Sequence, residues 1–270
     1  MGRVIRFTFG IFAYFYFFAS FLYLIGFIHN VFVPRSIDVG PEVSIGVAAV
    51  INLCLIGLFG IQHSVMARPG FKAALTRLWP ESIERSLYVV MSAVALCILY
   101  WLWRPMPEMI WAVEMEWLRM LLWGIAGLGW AIVLISTFLI NHFELFGLHQ
   151  VWADLRMRTM PSSIFREPFF YKQVRHPIYT GFLLAFWSTP DMSQGHMLFS
   201  IGMTVYILIG IRYEERDLKA NLGEVYIEYT RRVGMVIPGV GRGVSFLAFP
   251  IQLRYPTCYY NLVFGSQRKI

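Results

Sequence analysis

Two short polar segments stand out in a chain that is otherwise poor in charge. One is Tyr171-Lys172-Gln173-Val174-Arg175-His176-Pro177-Ile178-Tyr179-Thr180-Gly181, and the other is Arg212-Tyr213-Glu214-Glu215-Arg216-Asp217-Leu218. The apolar runs between them, about 178–189 and 195–211, are interrupted by Pro190-Asp191 and predict a helical hairpin. A hairpin brings its two ends together, so both segments line one pocket. Pro177 favours the first turn of a helix and holds His176 near its cap. Tyr179 follows on that turn, and Gly181 permits close approach of a ligand or a neighbouring helix. Glu214 and Glu215 diverge by roughly 100° on a helix, so one faces the pocket while the other pairs with Arg212, Arg216 or Lys219. Gly223 marks a helix end, after which Tyr226 and Tyr229 share a face. A carboxylate, a histidine, arginines and aromatic faces together suit a ligand that is zwitterionic at one end and cationic or aromatic elsewhere. Each segment alone also fits a plain basic loop or a solvated helix face; their placement at the two ends of one hairpin favours the site.

The elements that must position these groups follow from composition. Of 270 residues, 57% are hydrophobic, 17% aromatic and only 14% charged, where soluble domains carry roughly 25%. The mean hydropathy is +0.58. Runs at 7–33, 43–66, 87–103 and 118–140 are long enough to cross an apolar layer that takes about 20 helical residues. The first is too long for a signal-peptide core and stays as a membrane helix. The expected fold is therefore an all-α integral membrane protein, with about four transmembrane helices and a C-terminal helical hairpin carrying a cytoplasmic cofactor site. Residues 1–140 form the transmembrane region, 141–238 the catalytic region, and 239–270 an extension to which no role is assigned.

Of the 23 Lys and Arg residues, only Arg35, Arg104 and Arg119 fall on one side of these spans. Basic residues accumulate in the cytoplasm, which places both termini there and Asp191 near the opposite face. The net charge of +7 then reflects orientation and anionic lipid rather than nucleic acid. Cys54, Cys97 and Cys258 lack metal or CxxC spacing and read as packing residues.

The ordered set Arg-His-Pro-x-Tyr-x-Gly (175–181), an apolar hairpin, Glu-Glu-x-x-Leu (214–218), Gly-x-x-Tyr-x-x-Tyr (223–229) and Pro238 resembles the isoprenylcysteine carboxyl methyltransferase superfamily of membrane enzymes. Upstream, Gln62 to Pro69, Glu84 to Tyr88, Trp103-Arg104-Pro105, Asn141 to Leu148, Gln150-Val151-Trp152, Ala185 to Pro190 and Gly195-His196 resemble the bacterial methanethiol S-methyltransferases, which make dimethyl sulfide. The likeness covers about residues 5–238; Val233-Gly234-Met235 departs from the Val-Pro-Met expected there.

The resemblance implies an S-adenosyl-L-methionine site between the hairpin arms, with Gln150, Lys172, Val174, Arg175, His176, Tyr179, Gly181, Glu214, Glu215, Leu218, Tyr226 and Tyr229 as its residues. Within it, His176, Tyr179 and one of the two glutamates take the polar end, and Tyr226 or Tyr229 the adenosine. It implies methanethiol as acceptor, in a bacterial inner membrane. An alkyl thiol is only slightly ionised at neutral pH, so a base or cation near its sulfur is expected. His63, His142, Glu144, Arg85 and His149 are the candidates, and the first three are expected to converge beneath the hairpin; His29 and His196 are expected at the opposite interface. Other thiols and an isoprenylcysteine carboxylate remain alternative acceptors, and a haem between His63 and His142 or a non-enzymatic membrane role remain alternative readings.

Overall fold

The computed structural model describes residues 2–160 and 165–243; Cys258 and the extension from residue 244 onward lie outside them. Among the described residues, five helices are long and apolar enough to cross a membrane: α1 (Arg3–His29), α2 (Ile45–Met66), α4 (Glu84–Leu102, continuing a 3-10 turn from Glu81), α5 (Glu116–Ile140) and α9 (Gln194–Leu222). Shorter helices connect them: α3 (Pro69–Leu78), α6 (His142–Leu145), α7 (Leu148–Leu155), α8 (Pro177–Trp187) and α10 (Glu224–Arg232). The protein is a helical integral membrane protein.

The start of α1 and the ends of α2, α5 and α9 lie at one end of the bundle, here called the basic end. There Arg6 pairs with Asp154 of α7 at 2.8 Å. The second half of the chain is built on α8 against α5. Gly181 and Gly129 meet backbone to backbone, so that a Cβ on either would lie 2.6 Å from the other's carbonyl oxygen. Small residues permit such contact in membranes, where close van der Waals packing replaces the hydrophobic effect.

The 11 residues of α8 span only ~16 Å at 1.5 Å per residue, about half of an apolar core roughly 30 Å thick. The chain leaves α8 through residues 188–190 into a short strand, whose backbone polar groups need partners wherever water is excluded. Strand β1 (Met109–Ala112), from the loop between α4 and α5, supplies them by pairing antiparallel with β2 (Asp191–Ser193), with Met109 opposite Ser193 and Ala112 opposite Asp191. Val113 N–H donates to Pro190 O, Gln194 N–H to Glu108 O and Gly195 N–H to Met106 O. Arg119 closes this end with two bonds to Asp191, at 2.8 and 2.7 Å. Neither strand was expected from the sequence.

His29 and His196 belong to this far end, but both are buried rather than interfacial. Trp130 Nε1–H donates to His29 Nε2 at 2.9 Å, and His196 Nε2–H donates to the Phe186 carbonyl at 2.9 Å. The third expected span ends as predicted near Trp103, whereas α9 runs well past residue 211, to Leu222, before Gly223 (φ +58°) turns the chain into α10.

Candidate functional site

The hairpin ends meet as the sequence predicts, around the buried pair Arg175 and Glu215, whose Nε to Oε1 distance is 2.7 Å. Pro177 occupies the first turn of α8 and His176 its N-cap. Residues 233–236 run alongside: Arg175 N–H donates to Gly234 O, His176 N–H to Met235 O and Thr180 Oγ1 to Val236 O. The rest of the Arg175 guanidinium donates to the carbonyls of Thr230, Val233 and Gly241. Its donors are thus taken by protein, and it positions the segment after α10.

The two glutamates diverge as their spacing requires. Glu215 points inward to Arg175, to His176 Nε2 at 3.2 Å and to Lys219 at 3.8 Å. Glu214 keeps a third of its side chain exposed and receives the Tyr179 hydroxyl on Oε2 at 3.1 Å, with His176 Nδ1 3.7 Å from the same oxygen. The His176 and Tyr179 rings stack, with centroids 5.6 Å apart.

Tyr179, Tyr206 of α9 and His63 of α2 are each surrounded by protein, yet each retains accessible surface. The region they border together with Glu214, at the basic end of the bundle, is here called the chamber. Tyr171, Tyr88 and Tyr206 all lie within electrostatic range of Glu214. Glu214 is therefore a partly exposed carboxylate with tyrosines around it, and Tyr88, bonded to His63, approaches it from α4. At the rim of the chamber Arg68 lies 4.4 Å over the Tyr213 ring and 3.5 Å from Asp217. Lys72 pairs with Glu84 at 3.5 Å, and burial lowers its pKa.

Other predicted site residues support this arrangement from outside the chamber. Tyr226 and Tyr229 form a small core with Phe165, Leu218 and Leu222, and Tyr229 donates to the Tyr171 carbonyl at 2.5 Å. Burial raises both phenol pKa values, with carboxylates nearby adding to it. Val174 is the bridge residue to Gly234, and Gly181 is spent on α5. Lys172 is exposed, and Gln150 donates to the Glu144 carbonyl. Arg85 donates from Nε to Leu145 O at 2.6 Å and lies 5.0 Å over the Tyr88 ring, clamping α6 onto α4 beside the chamber.

The expected convergence of His63, His142 and Glu144 does not occur. His142 is held by Tyr14 OH at Nε2 (2.9 Å) and Thr137 Oγ1 at Nδ1 (2.8 Å), stacked on Phe138, and burial lowers its pKa. Phe146 packs on it at 4.8 Å and, with Phe17, also packs against the Met66, Tyr88 and Val89 cluster; these rings separate the two histidines. Glu144 bonds to Asn141, whose φ of +120° caps the end of α5. Next to them is an outer apolar groove of about 500 Å³, lined by Phe7, Ile11, Asn141, Phe143, Leu148, His149 and Trp152. Tyr88, Tyr206 and Ser92 were missed by the sequence reading; the available signal was a hydroxyl inside an apolar helix, which must find a partner when buried.

The fold defines a membrane-embedded helical protein, with a cluster of buried and half-buried polar side chains at the basic end of its bundle. The comparisons make the class specific. The chain is 50% identical over 238 residues to the methanethiol S-methyltransferase of Mycobacterium tuberculosis, covering 88% of this chain and 98% of that one. It is 48% identical over 236 residues to methanethiol S-methyltransferase 1 of Bradyrhizobium diazoefficiens, covering 87% and 83%. Nurim of Mus musculus is a distant relative, 28% identical over 176 residues. No protein-family model matches the chain, and no solved structure matches it. The chain belongs to the methanethiol S-methyltransferase family.

Proposed function

We propose that this protein transfers a methyl group from S-adenosyl-L-methionine to methanethiol, giving dimethyl sulfide, with its site on the cytoplasmic side of the membrane. The observation that carries the acceptor is similarity along 88% of the chain to a protein named for that reaction. The chamber's chemistry fits the donor. Glu214, its side chain one-third exposed, offers a carboxylate to a cation, and Tyr179, Tyr171 and Tyr206 lie near it; aromatic rings attract cationic centres by their quadrupole.

S-adenosyl-L-methionine, when bound, supplies an electrophilic methyl on a sulfonium. Glu214 and Tyr179 would hold its charged end, while His176, fixed between the two glutamates, keeps Glu214 aimed. The apolar walls around His63 and Tyr88 accept a small thiol and exclude water, and Arg85 supplies the nearby positive charge. Transfer of this kind needs alignment of the two reacting groups above all. The structure gives no support to the haem reading: both ring nitrogens of His63 and of His142 are engaged by side-chain hydroxyls.

The test is purified protein in detergent with methyl-labelled S-adenosyl-L-methionine against methanethiol, longer thiols, hydrogen sulfide and a prenylated cysteine. Label is expected in volatile dimethyl sulfide. Label only in the prenylated product would replace the thiol reading, and none in any acceptor would remove it.

A further inference from the structure

Tyr88 stands on the second turn of α4, and its hydroxyl lies 2.5 Å from His63 Nε2. The direction of that bond follows from the far side of the ring. Ser92 donates its own proton to the Tyr88 carbonyl at 2.9 Å, so toward His63 Nδ1, 3.1 Å away, its oxygen acts as an acceptor. The imidazole proton is then on Nδ1, Nε2 carries a lone pair, and the phenol donates to it. Among the described residues no donor reaches the Tyr88 oxygen. Its remaining lone pairs are free for a hydrogen from a ligand.

The groups facing Tyr88 are His63 from α2, Glu84 and Arg85 from its own helix, Tyr179 from α8, and Tyr206 and Glu214 from α9. Glu214 is occupied by Tyr179. Arg85, 5.0 Å from the Tyr88 ring, is the cation placed to favour negative charge on the phenol oxygen. We propose that Tyr88 is the catalytic residue that takes the proton of the acceptor thiol, passing its own proton to His63, with Ser92 as the positioning residue that sets the tautomer. This rests on the methyltransferase reading and assigns its proton step.

In that step the thiol S–H bond breaks and its proton moves to the Tyr88 oxygen as the phenol proton moves to His63 Nε2. The sulfur keeps the electron pair and uses it to form the new bond to the methyl carbon. The old carbon–sulfonium bond breaks with its pair going to the donor sulfur, which leaves as a neutral thioether. The imidazolium returns its proton through Tyr88 to water when the products depart.

The same wiring occurs once more, which provides a control. Thr137 donates to Leu134 O at 2.7 Å, so it accepts from His142 Nδ1, and Tyr14 donates to His142 Nε2. That copy sits on the outer side of Phe146, beside the apolar groove, and the proposal gives it no part in the reaction.

The experiment compares Tyr88→Phe and Tyr14→Phe with wild type on methanethiol and on methaneselenol, which is nearly the same size but already ionised at neutral pH. Tyr88→Phe should lower kcat on methanethiol near neutral pH by roughly 100-fold or more, within the usual range for a general base. The deficit should shrink as pH rises, while turnover of the selenol and donor affinity by calorimetry stay close to wild type. Tyr14→Phe should behave as wild type. Nitrogen NMR of donor-free protein should show the His63 proton on Nδ1, and Ser92→Ala should mix the tautomers and reduce thiol turnover. A wild-type proton on Nε2, an equal loss on thiol and selenol, or no loss in Tyr88→Phe with an active wild type overturns the proposal alone. Wild type inactive on both acceptors overturns the methyltransferase reading and the proposal with it.

Discussion

At the scale of single residues, charged groups of the Arg-His-Pro and Glu-Glu motifs do different work. Arg175 is buried against Glu215 and three carbonyls, while Glu214 keeps a third of its side chain exposed. Removing one partner of a buried ion pair leaves an uncompensated charge, at a cost of about 3–5 kcal/mol. Arg175→Ala should therefore lower the thermal midpoint sharply in a detergent melt and abolish donor binding as a consequence. Glu214→Gln should leave the melt nearly unchanged and weaken donor affinity by at least about tenfold, the effect of losing roughly 1.4 kcal/mol. Equal effects of the two on melting would contradict the division. The polar clusters were legible because charge is scarce in this chain, and the spacing of Glu214 and Glu215 gave their divergence. The role of Arg175 was not legible, because its partners are backbone carbonyls of residues 230–241 that no side-chain pattern marks. The fate of His142 was hidden for a similar reason: Tyr14, from a helix more than 100 residues earlier, captures it.

At the scale of elements, the contact of α5 with α8 is what aims the site. Gly129 and Gly181 leave no space for a side chain, whereas Gly127, on another face of α5, has nothing near it. Gly181→Val should splay the pair and destabilise by about 1–3 kcal/mol, the usual cost of overpacking, with a parallel loss of donor affinity. Gly127→Ala should be neutral or stabilising by up to about 1 kcal/mol, because alanine favours helix over glycine. Detergent melts and calorimetry on both variants check this. Hydropathy revealed the spans and the hairpin, since a stretch of apolar residues is itself the signal. It fell short at α9, where Arg212 to Lys219 remain helical beyond the apolar layer, and Gly223 rather than polarity ends the helix. The strands were invisible because four and three residues carry no period.

At the scale of the whole molecule, the far-end clamp of β1, β2, Arg119 and Asp191 and the basic-end chamber lie at opposite ends of one bundle, so topology is testable with two probes. In a background with the native cysteines replaced, a cysteine at Glu114 should react only from outside the cytoplasm and one at Arg77 only from within. Both residues are exposed. Reaction of both from the same side would overturn the orientation drawn from the basic residues. The bridge between Val174 and Gly234 also has a consequence for the order of events during synthesis. The N–H groups of Arg175 and His176 meet the carbonyls of Gly234 and Met235, and the Arg175 guanidinium reaches Gly241. α8 can be inserted and packed on α5 long before those residues exist, but its polar start then has only water or lipid head groups to satisfy it. Assembly of this region therefore waits on a segment made some sixty residues later, and a chain truncated before residue 234 would keep all five long helices yet leave the polar start of α8 without these partners.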